Sequence, residues 1–508
     1  MRYLCIHGHF YQPPRENPWL EAIELQDSAY PYHDWNERVT AECYAPNASA
    51  RILDGQNHIA EIVNNYSRIS FNFGPTLLAW AKDRAPELYQ SVIDADYQSR
   101  DFFGGHGSAI AQAYNHMIMP LANRRDKFTQ VYWGIEDFRA RFRRDPGGLW
   151  LPETAVDAET LDIMAELGVK FTILAPHQAH LTRRAGSEEW VDVTGGRVDP
   201  TLPYLYKTSS GKEIVLFFYD GPVSRAVAFE RLLNNGETFA HRLQSAYATS
   251  RTWDELAHIA TDGESYGHHH RYGEMALAYA LKHVENGNGA RLTNYGQFLA
   301  LHPPTHEAEI YENTAWSCAH GVGRWRENCG CNSGGRPGWN QAWRGPLRDA
   351  LDWLRDEIAP LYEARMAEYV HQPWEARNDY IHVVLDRAPE SRNEVLLRNV
   401  RKELTHAEEV ALWKLLEMQR HAMLMYTSCG WFFDEISGIE TVQVIQYAGR
   451  VVQLALELFE EERIESGFLL RLSEAKSNVP EQGDASQVYQ RIVSPALVDL
   501  RKVGAHYA

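Results

Sequence analysis

No run of apolar residues in this 508-residue chain approaches the roughly 18–20 needed to cross a bilayer as a helix. The N-terminus offers only Tyr3-Leu4-Cys5-Ile6 before His7, too short for the apolar region of a secretory signal. Cysteine is scarce. Six residues, Cys5, Cys43, Cys318, Cys329, Cys331 and Cys429, show no disulfide-scaffold spacing in a chain of this length. Positive charge is in deficit too: 50 Lys and Arg against 68 Asp and Glu leave −18, which repels phosphate backbones and anionic lipid. The expectation is a cytoplasmic protein with neither nucleic acid nor membrane as partner. No internal repeat or low-complexity tract is present, and 44% hydrophobic with 23% charged residues is a globular composition, not a disordered one. Aromatics, by contrast, are plentiful. Fifteen Trp and 26 Tyr exceed ordinary core filling, and their flat apolar faces with polar handles suit sugar rings as well as cores.

To about residue 310, short apolar runs alternate with helical patterns, the mark of βα units. Strands are expected at 3–7, 69–73, 148–151, 171–175, 214–219, 256–261 and 291–294, about the number a closed parallel barrel requires. One helix is well marked. Asp157 caps 158–167 and Gly168 stops it before a strand opens at Lys170. Glu153 therefore lies just past the C-terminal end of a strand, where barrel enzymes place their chemistry. Asp262 follows the strand-like 256–261 in the same way, and His7 and His9 follow the first strand. Beyond 311 the texture changes: a Gly-, Cys- and Trp-rich segment at 316–343 leads into helical patterns at 346–369, 393–426 and 440–462. Residues 477–486 read as a loop before a final helix.

Glycoside cleavage needs two carboxyl groups, one to attack or assist and one to protonate the leaving oxygen. Glu153 and Asp262 fit, although each alone would pass for a helix cap in a βα loop. Trp150 offers an aromatic face nearby, and Glu264 adds a carboxylate able to raise its neighbour's pKa by repulsion. His7 and His9 share one side of an extended segment, so both face the same pocket. As metal ligands they lack a third partner at a characteristic spacing, and hydrogen bonding to sugar hydroxyls or a carboxylate serves them equally well. His268-His269-His270 follows Asp262 closely enough to share its loop; His116 either reaches the pocket or packs. Cys318-Ala319-His320 and Cys329-Gly330-Cys331 offer four zinc ligand types. Their single-residue spacings are shorter than the two to four usual in structural sites, so they read as reduced cysteines in a packed loop. Trp316 and Trp325 make that segment a candidate for stacking on a glucan chain.

These residues resemble the motifs of glycoside hydrolase family 57. His7-Gly8-His9-Phe10-Tyr11-Gln12-Pro13-Pro14 is similar to the first motif, with two extra residues between His and Gln. Residues 105–120 resemble the second but hold Gly107-Ser108-Ala109 where the family often has Glu. Trp150-Leu151-Pro152-Glu153 is close to the third, and Asp262-Gly263-Glu264-Ser265-Tyr266-Gly267 matches the fourth. A weaker fifth falls at 294–299. The Cys/Trp-rich segment looks like a less characterised subgroup.

The resemblance implies an α/β fold: a (β/α)7 pseudo-TIM barrel over 1–310, then an α-helical domain over 311–508 that closes the active-site cleft. It also implies a retaining enzyme of the amylase, 4-α-glucanotransferase or branching type on α-1,4-glucan or maltooligosaccharide, with no cofactor and no metal. Glu153 would be the nucleophile and Asp262 the general acid/base. His7, His9, Gln12, His116, Trp150, Glu264, His268, Trp316 and Trp325 would bind substrate. The rival expectations are a non-catalytic α-glucan-binding protein on the same fold and a metal-dependent polysaccharide deacetylase.

Overall fold

The computed structural model describes residues 1–287, 289–334 and 336–498. They divide into two compact units. The first comprises Met1–Gln12, Leu25–Tyr114 and Asp137–Ser317, the second Pro13–Glu24, Asn115–Glu136 and Cys318–Ala508. A single cut near 310 therefore misses two excursions, 13–24 and 115–136, whose packing assigns them to the second unit although they lie between strands of the first.

In the first unit, seven strands pair in parallel: β1 (Arg2–Phe10), β2 (Ser70–Phe73), β3 (Ala111–Gln112), β4 (Leu149–Trp150), β5 (Phe171–Leu174), β6 (Glu213–Phe218) and β7 (Glu255–Asp262). β1 lies between β7 and β2. Single bridges, Phe71 to Ala109 and Gly148 to Phe171, join β2 to β3 and β4 to β5. Ladders join β3 to β4 and β5 to β6. From β6 to β7 the link is one backbone bond, Asp220 N–H to the His258 carbonyl at 2.8 Å. Neighbours thus follow chain order, as successive βα units require. β1 is buried along nearly its whole length, which is why it reads as an unbroken apolar run.

Two expectations need correction. Arg291–Leu292 is a two-residue strand that pairs only with Tyr3 and Leu4; β3, with two residues, is too short to leave a periodic signal. The other strands stand within one to three residues of expectation. The sheet is also mixed beyond β6, where Pro203–Lys207 runs antiparallel to it and leads to His306–Ile310, Ala179–Arg184 and Val191–Asp192.

Side-chain parity places the core and the site together. Tyr3 and Cys5, Phe171 and Ile173, Val215 and Phe217, and Leu256 and Ala260 join one buried cluster with Trp150 and Tyr295. Alternate residues of a strand share a face. His7 and His9 continue the parity of Tyr3 and Cys5, and Asp262 continues that of Leu256 and Ala260. Large apolar side chains below them, each worth about 1.5–3 kcal/mol when fully buried, hold these polar residues at the C-terminal strand ends. The helix α1 (Ala158–Glu166) is capped by Asp157, which accepts from Thr160 N–H, and stops before Gly168 at φ +85°.

The second unit holds α2 (Arg344–Met366), α3 (His406–Leu424), α4 (Ile439–Phe459) and α5 (Arg463–Leu472). α3 packs on α4, and α2 on α5. The expected helix at 393–426 is two helices. Pro389–Asn399 ends first, and Thr405 then starts α3 with a capping box to Glu408. Among the described residues no helix is long and apolar enough to cross a membrane.

A buried ion pair anchors the 115–136 excursion: Arg377 Nη1 donates to Asp126 Oδ1 at 2.6 Å with both side chains under a tenth exposed. Asp126→Ala strands the guanidinium, so urea denaturation should show a loss of about 3–5 kcal/mol. A loss under about 1 kcal/mol, the value of an exposed pair, would mean that the pair does not anchor the excursion.

Candidate active site

The deepest layer is a stacked histidine pair on a tryptophan. His7 and His9 lie 4.9 and 5.0 Å from Trp150 with rings within about 22° of parallel. His7 Nε2 faces Asn72 Oδ1 at 3.1 Å and His7 Nδ1 faces Ser70 Oγ at 3.0 Å. Asn72 Nδ2 donates to His9 Nδ1 at 2.9 Å and to Gln112 Oε1 at 2.8 Å. With the Asn72 amide in this orientation, the matching tautomers have His7 carrying its proton on Nε2 and His9 using Nδ1 as acceptor. Burial pushes both imidazoles down to about 3, so they are neutral at physiological pH. Both His7 nitrogens are engaged, which removes it from any metal site. Trp150 is wholly buried beneath the histidines and the edge of Trp316, 5.1 Å away. It presents no face to a sugar, because its strand parity turns it into the core.

Glu153 sits in the turn after β4, where Pro152–Thr154 forms a short 3-10 segment. Glu153 has φ +58° and Thr154 φ +49°, a left-handed pair that costs roughly 1–3 kcal/mol per residue and is typical of functional loops. Gln178 clamps this turn. Its Oε1 accepts from Thr154 Oγ1 at 2.9 Å, and its Nε2 donates to the Thr154 carbonyl at 2.8 Å and the Thr314 carbonyl at 3.1 Å. Residues 314–316 run back along the turn, with Val156 bridged to Thr314 and Trp316 N–H donating to the Glu153 carbonyl at 3.0 Å. That pairing delivers two side-chain donors to Glu153 Oε2: Trp316 Nε1 at 2.9 Å and Ser317 Oγ at 2.5 Å.

Ser317→Ala removes one of those two donors while leaving the indole in place. A hydrogen bond to a charged group is worth about 1.5–3 kcal/mol, so kcat/KM should fall by roughly ten- to a hundredfold with the fold unchanged. An unaltered kcat/KM would show that Ser317 does not act on Glu153.

Asp262 ends β7 directly beside His9 in the β1 register. Crowding by surrounding protein, then the negative charges of Glu264 and Glu153, push its carboxyl well above the ordinary range. Its side chain nevertheless remains open to solvent, so repulsion from the two carboxylates is the firmer cause. Glu264 is buried at 6% exposure. It accepts from Tyr11 N–H at 3.0 Å and Tyr44 Oη at 2.5 Å. Burial raises it to about 7 against those two bonds. It was expected to contact substrate; its place in the structure is behind Asp262, as a charge acting on it.

The remaining expected residues separate. Gln12 hydrogen-bonds the Tyr44 phenol and so supports Glu264. His268 pairs with Glu42. His116, at φ +55°, belongs to the second unit and holds Ser428 Oγ at 2.6 Å. Trp325 is completely buried in the second unit, its Nε1 donating to the Ser428 carbonyl at 3.2 Å; it is core and cannot stack on a glucan. Ser317, Asn72, Tyr44 and Gln178 were not anticipated. No local signal marks them, because each meets its partner across at least 24 residues of sequence.

Residues 7–311 match the family described as Glycosyl hydrolase family 57, and residues 339–508 match a domain of unknown function, DUF3536. An exo-type maltose-forming amylase from Pyrococcus sp. ST04 superposes with a TM-score of 0.70 at 15% identity, covering 100% of this chain and 94% of that one. A GH57-type branching enzyme from Pyrococcus horikoshii gives 0.56 at 13%, covering 98% and 97%. An α-amylase from Thermotoga maritima gives 0.55 at 12%, covering 97% and 98%. At such identities the likeness is one of fold. No curated protein matches the chain.

Proposed function

The chain belongs to glycosyl hydrolase family 57, and from that membership we propose that it is a retaining α-glucan-active hydrolase or transglycosylase with Glu153 as nucleophile and Asp262 as general acid/base. The observation that carries this reading is the contrast between the two carboxyl groups. Glu153 Oε2 accepts two donated bonds, the surroundings of a carboxylate, while surrounding protein and the charges of Glu264 and Glu153 push the Asp262 carboxyl well above its ordinary range. Two carboxyl groups whose surroundings favour opposite protonation states are the usual division of labour in glycoside cleavage.

In the first step a Glu153 oxygen attacks the anomeric carbon as the glycosidic C–O bond breaks, and Asp262 gives its proton to the departing oxygen. In the second, Asp262 takes a proton from water or from a sugar hydroxyl, whose oxygen attacks the anomeric carbon and frees Glu153. Neutral His9, level with Asp262, lines this floor. Trp316 keeps an edge on the nucleophile and is the one expected tryptophan positioned to meet a bound sugar. The seven parallel strands in chain order support a closed (β/α)7 barrel, and α-glucan as substrate rests on the named activities of the fold's neighbours. Six cysteines outside any disulfide support a cytoplasmic location.

Incubation with an activated fluoro-glucoside, followed by intact-mass measurement, should add one glycosyl group, mapped to Glu153. Absence of an adduct together with absence of turnover on amylose would sink the proposal. Product analysis on maltooligosaccharides then separates the activities: new reducing ends signal hydrolysis, redistributed chain lengths transfer, and new branch points branching.

A further inference from the structure

Immediately after the residues that touch Glu153, the chain enters a loop with no role in the proposed chemistry. Its three cysteines and one histidine converge. Cys318, His320, Cys329 and Cys331 present one ligand atom each, all within 4.8 Å of one another. The Cys318 sulfur lies 3.8 Å from that of Cys331 and 4.0 Å from that of Cys329, and Cys331 Sγ lies 3.5 Å from His320 Nδ1. Bonds of about 2.3 Å to sulfur and about 2.0–2.1 Å to nitrogen at a tetrahedral centre put sulfurs about 3.8 Å apart and sulfur and nitrogen about 3.5 Å apart. The observed spacings are those of ligands around a common centre, and the sulfurs stand far beyond a disulfide's roughly 2.05 Å.

We propose that Cys318, His320 through Nδ1, Cys329 and Cys331 bind a structural zinc ion in the second unit. Three thiolates and one imidazole in tetrahedral array select zinc by ligand softness and geometry. Four protein ligands also close the coordination sphere, which marks the site as structural.

The surroundings agree. Three thiolates and Zn²⁺ leave one net negative charge, and a buried cation adjoins the site. The Arg344 side chain is 0% exposed, and its ion-pair partner, Asp434, is 4.0 Å away. Its Nη1 donates to the Cys331 carbonyl at 2.7 Å. Asp434 is at the outer limit of an ion pair, and the anionic metal centre would add a second counter-charge beside the buried guanidinium. Packing is close as well: a Cβ on Gly323 would lie 3.1 Å from Cys329 Cβ and 3.4 Å from His320 Cβ. The single-residue spacings that argued against zinc do not keep the four ligand atoms apart, because the chain turns between the ligands instead of running extended. Gly330, at φ +80°, supplies the turn between the last two cysteines.

The test uses the full chain, purified without a metal-binding tag. Elemental analysis should find one zinc per chain after desalting, released as a mercurial reagent titrates the thiols. Exchange with Co²⁺ should give intense tetrahedral d–d bands and a thiolate charge-transfer band. Cys329→Ser combined with Cys331→Ser should abolish zinc retention, and chelation of the wild-type protein should lower its Tm. Zinc-free wild type, stoichiometric iron in place of zinc, thiols that react fully with no metal release, or a two-dalton mass deficit from a disulfide would each overturn the assignment. So would a double variant that keeps its full complement of zinc. If the double variant fails to fold, the wild-type stoichiometry and cobalt spectrum still decide.

Discussion

Glu153→Gln leaves glucan binding intact and lowers turnover on amylose by on the order of 10⁴-fold or more, the scale of losing a covalent nucleophile. The amide keeps the shape of the carboxylate and can still accept from Trp316 and Ser317, but it cannot form the glycosyl ester. The strained turn is fixed by Gln178 and by the 314–316 backbone rather than by the carboxylate, so circular dichroism and Tm should match the wild type. Calorimetry with maltooligosaccharide checks binding, and the fluoro-glucoside adduct should vanish. A variant that retains more than about a hundredth of wild-type turnover, far above what such a loss leaves, would remove Glu153 from the nucleophile's role.

Asp262→Asn acts differently. General acid assistance contributes about 10²–10⁴-fold, so hydrolysis of amylose should fall by that amount. Formation of the glycosyl-enzyme from a fluoride donor, whose leaving group needs little protonation, should persist, and the adduct should accumulate because its release lacks a general base. The pH profile gives a second measurement. Protonated Asp262 is the competent form for the first step, so the alkaline limb of the kcat/KM profile declines as pH rises through the raised Asp262 pKa. Glu264, ionising near 7, adds the repulsion that keeps Asp262 protonated longer. In the asparagine variant this alkaline decline should disappear; its persistence would transfer the acid role to another group.

Much of the first unit was legible because it depends on short-range patterns. An apolar run flanked by turn residues marks a buried parallel strand wherever it lies, which is why β1, β5, β6 and β7 stand near their expected places. Asp157 and Gly168 delimit α1 by local hydrogen bonding and backbone freedom alone. By contrast, β3 holds only two residues, below any periodic signal. The long helical reading at 393–426 failed because Thr405 and Glu408 start a new helix inside an otherwise continuous pattern.

The same division runs through the site. By itself the sequence determined that Glu153 and Asp262 stand at strand ends, because strand, turn and helix signals are local. It also determined that His7 and His9 share a face, because a strand has period two. Only the tertiary structure decided what surrounds them. Trp150 and Trp325 became core, Glu264 withdrew behind Asp262, and Ser317 reached Glu153 across 164 residues. Three cysteines and a histidine whose spacing argued against a metal converged within 4.8 Å. The physical reason is common to all of them. Burial, charge repulsion and ligand geometry depend on distance in space, and the chain's local code sets the direction of a side chain without saying what it will meet.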